Sequence, residues 1–182
     1  MGASDPSSSV YFEAANELGN FMVENDLTLV YGGGERGMMG EIARTVNSKG
    51  GRVVGVIPRD LVDKEVANKD CDELHVVESM HDRKMLMCNL SDAVICYPGG
   101  MGTMDEICEI ITWNQLDLIR KPCGFLNVNG YFDHFFKFTD HMCNEGFIKR
   151  EHLDLFTIHD SIPDLYDSFL NMDLSPVKKW GK

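Results

Sequence analysis

The chain has 182 residues, 43% of them apolar and 25% charged, with a formal net charge of −12. That is enough apolar mass for one core, and the size expects a single domain over 1–172 with a tail at 173–182. The acidic balance speaks against a nucleic-acid partner, which clustered Lys and Arg would have to engage, and Lys178-Lys179-Trp180-Gly181-Lys182 reads as part of the tail.

No apolar run reaches the length of a bilayer span, and no charged-then-apolar leader opens the chain, so no membrane is expected. The six cysteines (71, 88, 96, 108, 123 and 143) form no C-x-x-C pair. They fit reduced, mostly buried thiols of a cytoplasmic protein. His134 and His141 share a helix face, but no thiolate accompanies them, and no metal site is expected.

In chain order, Ser7-Ser8-Ser9 offers N-caps to a helix marked by Tyr11, Ala14, Ala15, Leu18, Phe21 and Met22. Leu27–Tyr31 reads as a buried strand. Met38–Ser48 reads as a helix stopped by Gly50-Gly51, and Arg52–Ile57 as a strand stopped by Pro58. Leu61–Asp72 is polar, a loop with a short helix, before a short strand over Leu74–Val77. Ser79 and Asp82 form a capping box for a helix over Met80–Leu90. Val94–Tyr97 is a strand and Thr103–Leu118 a helix. Cys123–Asn127 is a strand, Asn129-Gly130 a turn, and Phe132–Glu145 a helix ended by Gly146. Leu155–His159 and Ile162–Leu170 read as a last strand and a last helix. Strand and helix alternate throughout, so the fold class is α/β, a doubly wound parallel sheet flanked by helices. Folds of that kind begin with a strand. Met1-Gly-Ala-Ser-Asp-Pro6 reads instead as the loop that follows one.

Two glycine loops fall at strand carboxyl ends, where such sheets bind ligands. Glycine lets bare backbone N–H groups meet an anion, and the helix behind adds unpaired donors and partial positive charge. Gly32-x-Gly34-x-x-Gly37 satisfies the dinucleotide fingerprint. The acid that should hold a ribose is missing, however: the next strand ends Ile57-Pro58-Arg59. The loop also serves as a plain strand-to-helix turn. Pro98-Gly99-Gly100-Met101-Gly102-Thr103, followed by Asp105 and Glu106, is more specific. Glu106 has two readings on spacing alone, as the partner of Thr103 in a capping box or as a catalytic carboxylate. Arg83, by itself, reads as a surface helix residue in an exposed pair.

Taken together, YGGGERGMMG (31–40), MHDRK (80–84), PGGMGTMDE (98–106), ITWNQL (111–116), KPCGFLNVNGYFD (121–133) and NEGFI (144–148) resemble the LOG family. These are cytokinin riboside 5′-monophosphate phosphoribohydrolases, often labelled lysine decarboxylases. The resemblance runs from about residue 2 to residue 170. It implies a Rossmann-like fold, a homodimer or an assembly of dimers, and hydrolysis of the N-glycosidic bond of a nucleoside 5′-monophosphate, with no cofactor. The family's catalytic arginine and glutamate fall on Arg83 and Glu106. The resemblance also implies substrate contacts at Gly33, Gly34, Glu65, Lys84, Gly99, Gly100, Met101, Gly102, Thr103, Asp105 and Thr112. Asp105 departs from the family's usual Glu by one methylene. The family's first strand has no counterpart before Gly2-Ala3-Ser4, which matches its small-residue loop.

Two other functions use the same residues. A non-catalytic nucleotide sensor on this fold would bind AMP without releasing base. An NAD-dependent oxidoreductase would use Gly32–Gly37. A pyridoxal phosphate decarboxylase needs a Schiff-base lysine and a partner for the pyridinium nitrogen, and no residue suggests either.

Overall fold

The structure is a computed structural model and describes residues 6–175. The Gly2-Ala3-Ser4 loop and the basic end at 178–182 lie outside the described residues. Among the described residues six α-helices and six strands alternate, except that only a 3-10 turn separates β2 from β3: α1 (Ser9–Glu24), β1 (Leu29–Tyr31), α2 (Gly37–Ser48), β2 (Val53–Pro58), β3 (Glu73–Val77), α3 (Met80–Leu90), β4 (Val94–Cys96), α4 (Met101–Gln115), β5 (Cys123–Leu126), α5 (Asp133–Asn144), β6 (Thr157–His159) and α6 (Ile162–Asn171). The strands pair in parallel as two three-stranded sheets, β1-β2-β3 and β4-β5-β6. The α/β class with helices between parallel strands is therefore as the alternation predicts. The described residues group into two compact units. One holds the chain up to Ser91 together with Gly99–Gly102, and the other holds Asp92–Pro98 and the chain from Thr103.

In the first unit β2 is the middle strand, and every one of its residues is buried. That accounts for its near-continuous apolar run, since a parallel strand covered on both faces has no solvent side. Helices α2 and α3 pack on this sheet, and α1 packs on α2 through Ala15, Leu18, Met22, Ala43 and Val46. In the second unit β5 is central. Phe125 on β5 is fully buried, with the rings of Phe132, Phe136 and Phe156 at 5.0, 5.2 and 5.4 Å, edge-on. Edge-to-face packing suits the ring quadrupole. Helix α6 covers β5 and β6, capped by Ser161, whose hydroxyl accepts the Asp164 N–H.

Four of the helices close with a residue in the left-handed region: Asp26 (φ 53°), Gly50 (φ 79°), Asp117 (φ 56°) and Gly146 (φ 78°). In each, the N–H two places past the cap returns to the helix: Leu27 to Met22, Gly51 to Val46, Leu118 to Trp113 and Phe147 to Met142. This is the Schellman arrangement. The glycine-marked ends of α2 and α5 were legible. At Asp117 no glycine advertises the turn, and α4 ends at Gln115 rather than at Leu118. Helix α4 also starts at Met101 rather than Thr103, which places Thr103 inside its first turn rather than at the N-cap. Before β6, Arg150–Leu155 is a 3-10 turn, so that strand begins at Thr157.

Candidate active site

Arg83 sits on α3, whose N-terminus is fixed by Ser79: its hydroxyl accepts the Asp82 N–H at 3.1 Å. The first turn of α3 thus aims Arg83 inward, and its side chain is 0% exposed. The reading of Arg83 as a surface residue is overturned. Nε donates to the Val56 carbonyl (3.1 Å), Nη2 to the Gly32 carbonyl (2.6 Å) and to Glu65 Oε2 (3.0 Å). Nη1 lies 3.8 Å from the Met80 sulfur. A guanidinium can do this because its donors form a planar fork, which an ammonium lacks. One side chain thereby ties the middle strand β2, the first glycine loop and the loop bearing Glu65. Glu65, 18% exposed at its side chain, keeps a solvent-facing part while its carboxylate meets Arg83.

Gly32 is glycine because of this arginine: a Cβ there would lie 2.2 Å from Arg83 Nη2. Gly33 takes φ +75°, and its carbonyl accepts the Asn68 N–H at 2.8 Å. Gly34 forms a backbone bridge with Ala67, and the Glu35 N–H donates to the Val66 carbonyl at 2.9 Å. The first glycine loop is thus packed under residues 65–68, through the Gly33 carbonyl and the Glu35 N–H. Lys84, next to Arg83, is half-buried.

The second glycine loop is different. Gly99 is half-buried, and Gly100, Met101 and Gly102 are exposed, Met101 at 86%. A Cβ on Gly100 would meet nothing within 4 Å. Bare backbone therefore opens to solvent at the start of a helix of 15 residues, a natural place for an anion. Gly99–Gly102 clusters with the unit that carries Glu65, Arg83 and Lys84.

In the second unit, Thr103 is 3% exposed, Asp105 is exposed and Glu106 is half-buried. Glu106 Oε1 is shielded from solvent. The Cys96 thiol is pushed up, first by burial and further by the negative charges of its neighbours, Glu106 among them. Burial likewise pushes the Cys123 thiol up to about 12. Thr112 is exposed, and its hydroxyl donates to the Cys108 carbonyl one turn back at 2.7 Å. Seven residues from Asp105, it shares that residue's helix face rather than that of Glu106. The six cysteines are all free thiols, with Cys88, Cys96 and Cys123 buried, Cys71 and Cys143 half-buried and Cys108 exposed. Among the described residues no three His, Cys, Asp or Glu side chains converge as metal ligands, and no helix is long and apolar enough to cross a membrane.

Pattern reasoning missed Gly32, Val56, Tyr31 and Asn68 as parts of this arrangement. Gly32 had a signal, as the first glycine of the fingerprint. Asn68 had none, because a loop asparagine carries no periodicity.

A family model described as "Possible lysine decarboxylase" matches residues 39–169. The chain is 44% identical over 164 residues to "Probable cytokinin riboside 5′-monophosphate phosphoribohydrolase LOGL9" of Oryza sativa subsp. japonica, covering 90% of this chain and 72% of that protein. It is 43% identical over 150 residues to "Cytokinin riboside 5′-monophosphate phosphoribohydrolase LOG" of the same organism, covering 82% of this chain and 62% of that one. The chain thus spans roughly two thirds of the length of these relatives. Among solved structures, a Moco carrier protein from Chlamydomonas reinhardtii superposes with a TM-score of 0.67 at 20% identity, covering 94% of this chain and 93% of that one. A molybdenum cofactor binding protein from Rippkaea orientalis gives 0.65 at 19%, covering 92% and 90%. At those identities the likeness is one of fold.

Proposed function

Because the chain belongs to the LOG family, we propose that it hydrolyses the N-glycosidic bond of a nucleoside 5′-monophosphate, a cytokinin riboside 5′-monophosphate or AMP, to free base and ribose 5-phosphate. The observation that supports this most is the open backbone at Gly100, before a helix that carries Asp105 and Glu106. The 5′-phosphate is received by the N–H groups of Gly99–Gly102 and the hydroxyl of Thr103. Breaking the bond from C1′ to the base nitrogen leaves positive charge on the ribose and negative charge on the departing base, an oxocarbenium-like transition state. Glu106, its Oε1 out of solvent, stabilises that cation or takes the proton of the attacking water. Asp105 orients ribose hydroxyls. Arg83 supplies fixed positive charge and holds Glu65, whose solvent-facing part meets the substrate, with Lys84 and Thr112 as further contacts. The protein works as a homodimer or an assembly of dimers in the cytoplasm, without a cofactor.

The test is a chromatographic assay of AMP, an N6-prenylated AMP, GMP and CMP, with adenosine as the control. Base and ribose 5-phosphate released from 5′-monophosphates alone support the proposal, and the ranking names the base. Saturable binding of AMP without release replaces it with a nucleotide sensor.

A further inference from the structure

The segment that bears Glu65 is held by a side-chain latch. Asn68 is 3% exposed, and both ends of its side-chain amide and its backbone N–H are bonded. Its N–H donates to the Gly33 carbonyl (2.8 Å), its Nδ2 to the Tyr31 hydroxyl (2.9 Å), and its Oδ1 accepts the Asp70 N–H (2.9 Å). The Tyr31 hydroxyl also lies 3.6 Å from the Cys71 sulfur. Tyr31 is the last residue of β1 and precedes Gly32, whose carbonyl receives Arg83. Val66, between Glu65 and the latch, has φ +54°. A β-branched residue avoids that region, and such strain persists only where the surroundings impose it. Here they are the backbone bonds to Gly33 and Glu35 on either side of the Gly34–Ala67 bridge and the buried side chains of Asn68 and Tyr31.

We propose that Tyr31 and Asn68 are positioning residues for the reaction: they clamp residues 66–70 onto the end of β1 and so fix the Glu65 carboxylate against Arg83. Neither is assigned a contact with substrate. The inference rests on the phosphoribohydrolase reading for its effect on turnover. The clamp itself does not depend on that reading.

The test uses Tyr31→Phe, which removes one oxygen, and Asn68→Ala as the second variant, each alone and combined with Glu65→Gln. Amide exchange of residues 65–70 reports the clamp. In both variants it is expected to speed up about tenfold or more while β2 and β5 stay protected. Base release reports the coupling. Each variant is expected to lower kcat/KM about tenfold in the wild-type background and less than about twofold beside Glu65→Gln, since residues acting through one another are not additive. Unchanged exchange, or equal losses in both backgrounds, overturns the proposal. If the wild-type protein releases no base, the phosphoribohydrolase reading fails, and exchange alone then supports or overturns the clamp.

Discussion

Arg83 Nη2 lies 3.0 Å from Glu65 Oε2, and the same nitrogen lies 2.6 Å from the carbonyl oxygen of Gly32. The arginine is therefore a buried strut as well as a source of charge. Removing it leaves a partly buried carboxylate and two backbone carbonyls without their donor. Arg83→Ala is predicted to lose about 3 kcal/mol of stability in addition to turnover, because breaking a buried pair from one side is costly. For a chain of this length that lowers Tm by roughly 6–12 °C. Arg83→Lys keeps the charge but cannot serve three acceptors in a plane, and should recover only part of the loss. Calorimetry of the two variants decides it, and an unshifted Tm for Arg83→Ala counts against the strut.

Gly32→Ala should imitate a weaker Arg83 variant. The new methyl would sit 2.2 Å from Nη2, so the guanidinium must leave either Gly32 or Glu65. A loss of about 1–3 kcal/mol follows from such overpacking, with lower turnover. Wild-type Tm and turnover would show that the guanidinium moves freely.

Gly100→Ala separates fold from phosphate binding. Its Cβ would enter open space, so stability should change by less than about 0.5 kcal/mol. If Gly100 lets phosphate approach, the KM for 5′-monophosphates rises. Isothermal titration with AMP and with adenosine checks this: only the phosphorylated ligand should weaken.

Val66→Gly should stabilise. A side chain in the left-handed region costs about 1–2 kcal/mol, and the added freedom of glycine returns roughly half of that. A rise in Tm of about 2 °C is expected. A fall would mean that the Val66 side chain earns its place by packing.

The alternation of elements, the strands β2 and β5, and the helix stops at Gly50 and Gly146 were legible because each has a local cause: apolar runs or a residue free to take positive φ. Asp117 does the work of glycine without looking like it, so the end of α4 was misplaced by a few residues. Spacing could not decide between an exposed and a buried Arg83, because the acceptors that bury it, at positions 32, 56 and 65, are far away in sequence. The same distance hid Tyr31 and Asn68. The pairing of Gly33, Gly34 and Glu35 with residues 66–68 was hidden for the same reason, since no local pattern announces it.

Glu106 is the residue assigned to bond cleavage in a nucleoside 5′-monophosphate. Base release by the wild-type protein against Glu106→Gln, each checked for AMP binding and for Tm, tests it most directly. Glu106→Gln should fold and bind as wild type does and release base about 10²–10⁴-fold more slowly, as when a well-placed acid–base or electrostatic group is lost. Equal rates of release from the two proteins would contradict that role.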